Sequence, residues 1–441
     1  MAFARMASAG VRSLRTRTAM AASGALLGGT SLLFSMQLPV QADGPTLFQK
    51  IVEISDRLER VEDALGVEDL ENERLLKLIQ KARVDFPDNL MAKHFDFDYY
   101  KSLSPGLRKR LLRCCKSGAE NMDSGMGMYA MHPEDYDLFK PYMDKVIRAY
   151  HKISGNVHHV TNWELSTKAD KLPAGGKLDL TKLGLGPTSM RVRVGRNLAD
   201  YPLPGAMTKE DRLRMEQQML KAFKKLISDP AYGGQYYSLT PGLPESISDA
   251  KYKELVNSHL MFKDMAADSY LASAGIASDW PHGRGCYVSA DKGFIVWVGE
   301  EDHLRIMCMK RGTFLNDVFD RLKGACDVVE KNAGTFAHSK DYGYVTSCPT
   351  NLGTGMRASL HIQLPNLTAD GTESKAKAVC KPLGLSVRGK GGEHTPIGAD
   401  GTVDISPSAR LMIEEADIVV ALYEGIKRLL AEEKKCPPRT K

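Results

Sequence analysis

The sequence predicts an α+β protein in which a small helical domain precedes a larger domain of mixed strands and helices. Residues 85–165 show a polar, helical pattern without strand signals, whereas runs of β-branched and aromatic residues alternate with helical periodicities in residues 166–441. A length of 441 residues and a hydrophobic content of 43% are sufficient for a large core. The 8 cysteines are scattered without the spacing of a disulfide framework, so we expect reduced thiols.

Residues 1–42 have the composition of a mitochondrial targeting segment. No acidic residue precedes Asp43, the arginines alternate with Ala, Ser and Thr, and an uncharged stretch runs from Ala19 to Ala42. A basic presequence followed by an apolar sorting segment is typical of import into the mitochondrial intermembrane space, with cleavage near Ala42. The alternative is an uncleaved membrane anchor, although glycines and Pro39 make the stretch a poor span. Because the arginines of this leader carry most of the formal charge of +6, the basic balance does not indicate a nucleic-acid surface.

Residues 43–84 are predicted to form a helical extension. The apolar residues that follow Thr46 recur at alternating four- and three-residue steps: Leu47, Ile51, Ile54, Leu58, Val61 and Leu65. This is the pattern of a short coiled coil, which Gly66 ends, and a second helical stretch follows from about Leu70 to Ala82. Either the first helix pairs with its copy in another subunit, giving a homo-oligomer through residues 46–65, or it lies along its own chain.

In the larger domain, strands are predicted where β-branched and aromatic residues cluster: Met190 to Val194, Phe294 to Val298, Leu304 to Cys308, Tyr344 to Ser347 and Leu360 to Leu364. Helices are predicted from Thr208 to Ile227 and from Ser408 to Ala431. Thr208 and Asp211 form a capping pair at the start of the first helix.

The stretch CPTNLGTGMR at residues 348–357 follows one of these predicted strands. It combines a thiol, two glycines and an arginine at a point where side chains and backbone converge. A reactive thiolate needs a nearby positive charge, and Arg357 is the nearest source of one for Cys348.

Three further stretches carry charged residues in strand-like or glycine-rich surroundings. In RVRVGR, Arg191 and Arg193 project from one face of a strand and form an anion cradle. Three consecutive acids at residues 300–302 follow a strand, where they do not help strand formation. The stretch RGKGGEHT at residues 388–395 has the glycine content of a mobile lid.

These stretches resemble the phosphagen (ATP:guanidino) kinases, the family of arginine kinase and creatine kinase, from about residue 90 to about residue 433. The loop DSGMGMYA at residues 123–130 is similar to the substrate-specificity loop of arginine kinases. The resemblance implies an all-α N-terminal domain at 85–165 and a catalytic ATP:guanido phosphotransferase domain at 166–441 with an antiparallel sheet flanked by helices. With the leader, it indicates a mitochondrial form of arginine kinase or taurocyamine kinase.

The resemblance also implies roles for individual residues. The catalytic residues would be Glu301, Glu393 and Cys348. The residues expected to bind ATP are Arg191, Arg193, His259, Arg305, Arg357, His361 and Arg388. Those expected to bind the guanidino substrate, besides the catalytic residues, are Ser124, Gly125, Met126, Gly127 and Tyr129, whose backbone N–H groups suit a carboxylate or sulfonate. Mg²⁺ is expected to be held by the nucleotide and water, so no protein ligand is assigned.

The chemistry of guanidino phosphorylation explains these residue types. A guanidinium has no lone pair to spare, so a carboxylate must orient it and take a proton, and Glu301 is the candidate for that base. Glu393 would complete the clamp when the loop closes. Cys348 is expected to be a thiolate that orients the guanidinium without attacking it.

Reversible phosphoryl transfer from MgATP to arginine is the function expected, with taurocyamine or another guanidine as the alternative. A hypothesis from another class is a catalytically silent, coiled-coil scaffold in mitochondria, against which the intact set of charged residues argues. Residues 384–390 also fit G-x-x-x-x-G-K, but Gly391 follows where a P-loop has Ser or Thr. Departures from the family pattern are Met190, Gly299 and Gly391.

Mitochondrial members of the resembled family use basic C-terminal tails on anionic lipid. The corresponding residues here are Lys434, Lys435, Arg439 and Lys441. We therefore expect an anionic membrane surface as a further partner.

Overall fold

The computed structural model describes residues 67–173, 175–389 and 397–438. The predicted targeting segment, the coiled-coil segment and most of the glycine-rich loop lie outside these residues. In the part of the chain that is described, no helix is both long and apolar enough to cross a membrane.

Within the described residues, the chain divides between residues 67–77 and residues 78–441. The α-helices are α1 (Val67–Asp85), α2 (Leu90–His94), α3 (Phe97–Ser102), α4 (Pro105–Glu120), α5 (Asp135–Leu138), α6 (Lys140–His151), α7 (Lys209–Ser228), α8 (Asp249–Asn257), α9 (Ser269–Ser273), α10 (Leu315–Ala333), α11 (Ser374–Cys380) and α12 (Glu415–Lys435). Helices α2 to α6 precede the first strand and form the small helical domain.

The larger domain is built on an antiparallel sheet. Its strands are β1 (Thr188–Arg196), β2 (Gln235–Ser238), β3 (Gly285–Val288), β4 (Phe294–Val298), β5 (Leu304–Gly312), β8 (Met356–Gln363), β9 (Leu385–Arg388) and β10 (Thr402–Pro407), and the short strands β6 (His338–Ser339) and β7 (Gly343–Tyr344) form a separate ribbon. The main sheet has the order β2-β3-β4-β5-β1-β8-β10-β9, and its neighbouring strands pair antiparallel. The expected α+β fold with an antiparallel sheet flanked by helices is therefore confirmed.

Helices α7, α10 and α12 pack on one face of this sheet. On β1, Met190, Val192 and Val194 are buried among apolar residues of these helices. Because side chains alternate along a strand, Arg191 and Arg193 project from the opposite face. Met190, which departs from the family pattern, is therefore a core residue on the helical side of the sheet.

The prediction for the start of α7 is confirmed. Thr208 is the N-cap, its side chain accepts from the N–H of Asp211, and the Asp211 carboxylate accepts from the N–H of Thr208. The predicted start of the last helix at Ser408 is wrong, because Met412 has a left-handed φ of 57° and α12 begins only at Glu415.

The predicted strand from Tyr344 to Ser347 is also wrong in most of its length. Only Tyr344 belongs to a strand, the second of the β6–β7 ribbon. The backbone of Thr346 and Ser347 bonds to other parts of the protein: Tyr136 Oη donates to both carbonyl oxygens at 2.8 and 3.1 Å, and the N–H of Ala130 donates to the Ser347 carbonyl at 2.8 Å. The carbonyl oxygens of Thr346 and Ser347 are thus bound by the helical domain and not by a sheet ladder.

Candidate active site

The antiparallel register of the central strands brings arginines onto one face of the sheet. Arg193 on β1 lies opposite Arg357 on β8, and Gly195 lies opposite Arg305 on β5. Opposed residues of neighbouring strands point to the same face. Arg191, Arg193, Arg305 and Arg357, all predicted from the sequence to bind ATP, therefore share what we call the arginine face.

The charges of the arginine face are close enough to disfavour one another. Burial, followed by the charge of Arg305, lowers the pKa of Arg191 to about 10. Burial, Arg305 and Arg191 lower the pKa of Arg193 well below its usual range. The Nε of Arg191 is buried and has no hydrogen-bond acceptor within the described residues. Like charges close together and a buried unused donor are the features of a site for a multiply charged anion.

Three residues of the arginine face, Arg191, Arg193 and Arg357, line a cleft of about 660 Å³. The segment after α8 contributes His259, Met261 and Phe262 to its lining, and His361 and Arg388 line it from β8 and β9. Apolar side chains beside a cluster of cations suit a nucleoside with its phosphate chain. The structure therefore brings the seven predicted ATP-binding residues to the arginine face and its cleft.

One acid that the sequence did not single out lies among these cations. Arg357 Nη2 donates to Asp404 Oδ2 on β10, and His361 Nε2 lies 3.6 Å from Asp404 Oδ1. Arg388 is the register partner of Asp404 on β9. The carboxylate of Asp404 thus fixes one side of the arginine face.

The acidic loop begins where β4 ends. Gly299 has a φ of 73°, and a Cβ at this position would lie 2.5 Å from the carbonyl oxygen of Gly283. This close turn leads to Glu300 and Glu301, whose carboxylates lie 2.8 and 3.5 Å from Arg305 Nη2. Both acids are therefore placed at the edge of the arginine face.

The environment of Glu301 suits a proton acceptor. Burial, followed by the charges of Asp302 and Glu300, raises its pKa to about 8. Arg305 and Arg193 act in the opposite direction but do not compensate for these effects. A carboxyl group with a pKa near neutrality can both accept and return a proton.

Asp302 links the acidic loop to the segment that carries Cys348. Its Oδ1 accepts from Asn197 Nδ2 at 2.8 Å and from the N–H of Ser347 at 2.7 Å. The side chain is buried. Asp302 follows Glu301 in the chain and binds the residue before Cys348. Its carboxylate therefore connects the loop of Glu301 to the segment of Cys348.

Cys348 precedes a 3₁₀ turn, Pro349–Asn351, and its Sγ lies 3.1 Å from Thr350 Oγ1. Burial, followed by the charge of Glu301, raises the pKa of Cys348 to about 12. This raised pKa favours the neutral thiol, because Arg357 pairs with Asp404 and the charge that acts most on Cys348 is the anion of Glu301. The expected thiolate stays a prediction. A bound guanidinium would be the cation that reverses this preference.

The specificity loop approaches the same place from the helical domain. The N–H of Gly127 donates to Ser124 Oγ at 3.0 Å, so this N–H, expected to be exposed, is already used. The carbonyl oxygens of Gly125 and Met126 accept from residues of α2, which fixes the loop. Burial, followed by the charges of Cys348 and Glu301, raises the pKa of Tyr129.

Arg410 was missed by the sequence-based prediction. It lines a small cavity together with Arg193, Arg305 and Arg357, and burial followed by Arg357 and Arg388 lowers its pKa to about 10. It follows β10, a strand whose pattern is weak in the sequence.

The remaining predicted catalytic residue, Glu393, lies outside the described residues, as does Gly391. In the ranges that are described, no group of three or more His, Cys, Asp or Glu side chains is arranged to hold a metal ion. The arginine face instead suits the phosphate chain to which a metal could bind.

Two family models match the chain. The model of the ATP:guanido phosphotransferase C-terminal catalytic domain matches residues 214–436, and the model of the N-terminal domain matches residues 87–148. These ranges contain the cleft and the helical domain.

Similar proteins cover the same region. The chain is 37% identical over 370 residues to arginine kinase Oct f 2 of Amphioctopus fangsiao, covering 82% of this chain and 98% of that protein. It is 38% identical over 349 residues to an arginine kinase of Haliotis madaka, covering 78% and 92%.

Solved structures of similar proteins superpose on the same region of the chain. A duplicated taurocyamine kinase of Schistosoma mansoni superposes with a TM-score of 0.68 at 34% identity, covering 82% of this chain and 48% of that one. A lombricine kinase superposes with a TM-score of 0.66 at 27% identity, covering 80% and 95%.

Proposed function

This chain belongs to the ATP:guanido phosphotransferase family, whose members transfer a phosphoryl group between ATP and a guanidino group, and we propose that the guanidino substrate of this member is arginine. Full-length similarity to arginine kinases supports arginine, since the alignment covers 98% of one of them. The observation that carries the chemistry is the arginine face, with Glu301 and Cys348 at its edge. The scaffold hypothesis receives no support from these findings.

In the proposed reaction, the arginine face and Arg388 hold the phosphates of ATP in the cleft. Phosphoryl transfer requires mainly positioning and positive charge around the equatorial oxygens, which convergent guanidinium groups supply. Mg²⁺, bound through the phosphates, would neutralise further charge on their oxygens. His259 and His361 contribute contacts nearer the base.

Glu301 takes the proton in this scheme. A guanidino nitrogen of the substrate forms a bond to the γ-phosphorus as the bond between that phosphorus and the β–γ bridging oxygen of ATP breaks. The proton lost from the guanidinium moves to Glu301, and ADP leaves. Cys348, next to Glu301, contacts the guanidinium, and Glu393 would close the clamp from the loop.

The specificity loop selects the tail of the substrate in this proposal. Ser124, Gly125 and Met126 would face the carboxylate of arginine, while Gly127 maintains the loop through its bond to Ser124. A sulfonate has the same charge, so taurocyamine is the second candidate, supported by the similarity to the taurocyamine kinase structure.

Purified protein assayed with MgATP and either arginine or taurocyamine tests the proposal. We expect phosphagen formation with arginine at a higher kcat/KM. A higher kcat/KM with taurocyamine would overturn the substrate, and background rates with every guanidine would overturn the activity.

We also propose that the protein works in the mitochondrial intermembrane space as a homo-oligomer. The composition of residues 1–42 and the heptad pattern of residues 46–65 support this. Residues Ile79 and Ala82 of α1 are buried, so a deletion should stop at residue 66. A variant without residues 43–66 should have a lower mass in solution, and an unchanged oligomer would exclude pairing through this segment.

The basic C-terminal residues support a further proposal, contact with anionic lipid. Lys434 and Lys435 end α12, whereas Arg439 and Lys441 lie outside the described residues. Vesicles with and without anionic lipid should differ in how much protein they sediment, and replacing the four basic residues by Gln should remove that difference. Equal sedimentation with both kinds of vesicle would contradict lipid contact.

A further inference from the structure

The backbone around Cys348 is held by donors from the helical domain. Tyr136 donates to the carbonyl oxygens of Thr346 and Ser347, and the N–H of Ala130 donates to Ser347 as well. The next carbonyl to be held in this way is that of Pro349, which follows Cys348 directly. Its partner is a histidine to which the proposed reaction gives no role.

That histidine is His151, the last residue of α6. Its Nε2 lies 2.9 Å from the carbonyl oxygen of Pro349. A carbonyl oxygen only accepts, so Nε2 carries the hydrogen in this contact. Lys152, with a φ of 56°, ends the helix immediately afterwards, and the ring of Tyr150 packs edge-on against the imidazole at 5.0 Å.

Within the described residues, the other hydrogen bonds to the carbonyl oxygens of Cys348 and Pro349 come from the same segment. The carbonyl oxygen of Cys348 accepts from Thr346 Oγ1 at 2.8 Å and from the N–H of Asn351 at 3.1 Å, both within the same segment. Within the described residues, the Pro349 carbonyl also accepts from the N–H of Leu352, at a longer 3.3 Å. The imidazole of His151 therefore provides the short bond from outside the turn.

The turn matters because it determines the position of the Cys348 thiol. Thr350, the residue after Pro349, places its hydroxyl 3.1 Å from Cys348 Sγ. A movement of the Pro349 carbonyl would displace both Cys348 and Thr350. A displacement of about 1 Å is sufficient to weaken the binding of a substrate in the reactive geometry.

We propose that His151 is a positioning residue, whose hydrogen bond to the Pro349 carbonyl fixes the turn that presents Cys348 and Thr350 to the guanidino substrate. The role in catalysis rests on the proposed function, whereas the effect on the thiol does not. The bond couples the end of α6 in the helical domain to a side chain of the substrate site.

The test compares His151→Leu with Lys140→Met. Lys140, at the start of the same helix, forms an ion pair with Asp341 and does not contact the turn. The first readout is the rate at which iodoacetamide alkylates Cys348, identified by peptide mass spectrometry because the chain has 8 cysteines. The second is the KM for arginine compared with the KM for MgATP.

We expect His151→Leu to accelerate alkylation and to raise the KM for arginine, each by about threefold to tenfold, the change produced by losing one hydrogen bond. The KM for MgATP should stay unchanged, and Lys140→Met should leave all three values near those of the wild type. Unchanged alkylation in His151→Leu, or the same change in both variants, would overturn the proposal. Absence of turnover in the wild type would overturn the proposed function alone, because alkylation needs no reaction.

A second pair of variants covers the case in which His151→Leu does not fold. The amide nitrogen of Gln reaches the position of Nε2, whereas that of Asn reaches only that of Nδ1. His151→Gln should therefore keep the wild-type alkylation rate, and His151→Asn should resemble the loss of the bond. Equal rates in these two variants would contradict a role for the Nε2 donor.

Discussion

Arg193 on β1 and Arg357 on β8 are directly opposed residues of neighbouring antiparallel strands. Two guanidinium groups at this spacing repel each other, and Asp404 pairs with only one of them, Arg357. Such an arrangement lowers the stability of the fold unless an anion binds. The sheet register therefore supports the proposed phosphate site.

Removal of one of these cations should weaken nucleotide binding and transfer together. We expect Arg193→Ala to raise the KM for MgATP and to lower kcat by at least about a hundredfold, because the lost charge acts on phosphate oxygens in the transition state. Arg214→Ala is the control, since Arg214 is exposed on α7, where it pairs with Asp211 and lies over the ring of Tyr201, and it does not belong to the arginine face. Initial-rate kinetics decide, and a normal kcat in Arg193→Ala would remove this residue from the site.

Replacement of the proposed base should affect turnover more than binding. We expect Glu301→Gln to lower kcat at least about a hundredfold, the scale of a lost general base. Its effect on the KM for MgATP should be small, because Glu301 lies at the edge of the arginine face. Near-normal turnover in single-turnover measurements would assign the proton transfer to another group.

The pH dependence of kcat/KM should change when a charged neighbour of Glu301 is replaced. Glu301 accepts a proton only when ionised, and its pKa is raised to about 8, so kcat/KM for phosphagen formation should fall as the pH drops below about 8. Asp302→Asn removes a negative neighbour, which favours ionised Glu301, lowers its pKa and moves this limb to lower pH. Asn keeps an oxygen that can accept from Ser347. If the acidic limb of the pH–rate profile is at the same pH in Asp302→Asn as in the wild type, the pKa of Glu301 does not determine that limb.

The thiol of Cys348 should be poorly reactive without substrate. Because burial and Glu301 raise its pKa to about 12, its alkylation rate should still rise with pH above pH 9. Glu301→Gln removes the anionic neighbour, lowers this pKa and should accelerate alkylation at a given pH. A plateau near pH 7 in the wild type would indicate a thiolate and contradict the raised pKa.

Gly299 should be required by the turn into the acidic loop. Gly299→Asn combines a φ of 73° with a Cβ only 2.5 Å from the Gly283 carbonyl oxygen, and we expect it to destabilise the fold by about 1–3 kcal/mol. Gly324→Ala is the matched control, because no atom lies within 4 Å of a Cβ there and the site is in α10. The control should stabilise by roughly 0.5–1 kcal/mol. Thermal unfolding midpoints that move in the same direction for both variants would contradict this account.

Sequence patterns predicted the strands of the sheet unevenly. β1, β4 and β5 were predicted, because their β-branched and aromatic residues are clear, whereas only the second half of β8 was predicted, since the strand begins at Met356 and not at Leu360. β2, β3, β9 and β10 were not, since they are short or contain glycine, serine, aspartate or proline, which are also typical of loops. Asp404 and Arg410 were missed for that reason, as they lie within and just after β10.

The sequence by itself determined the family, the two-part fold and the identity of the charged residues, because these depend on motifs and on the alternation of side chains along a strand. Only the tertiary structure decided how those residues act on one another. The pKa of Glu301, the protonation of Cys348 and the role proposed for His151 depend on burial and on neighbours distant in the chain. Local sequence does not encode these effects, since desolvation and charge interactions follow distance in space.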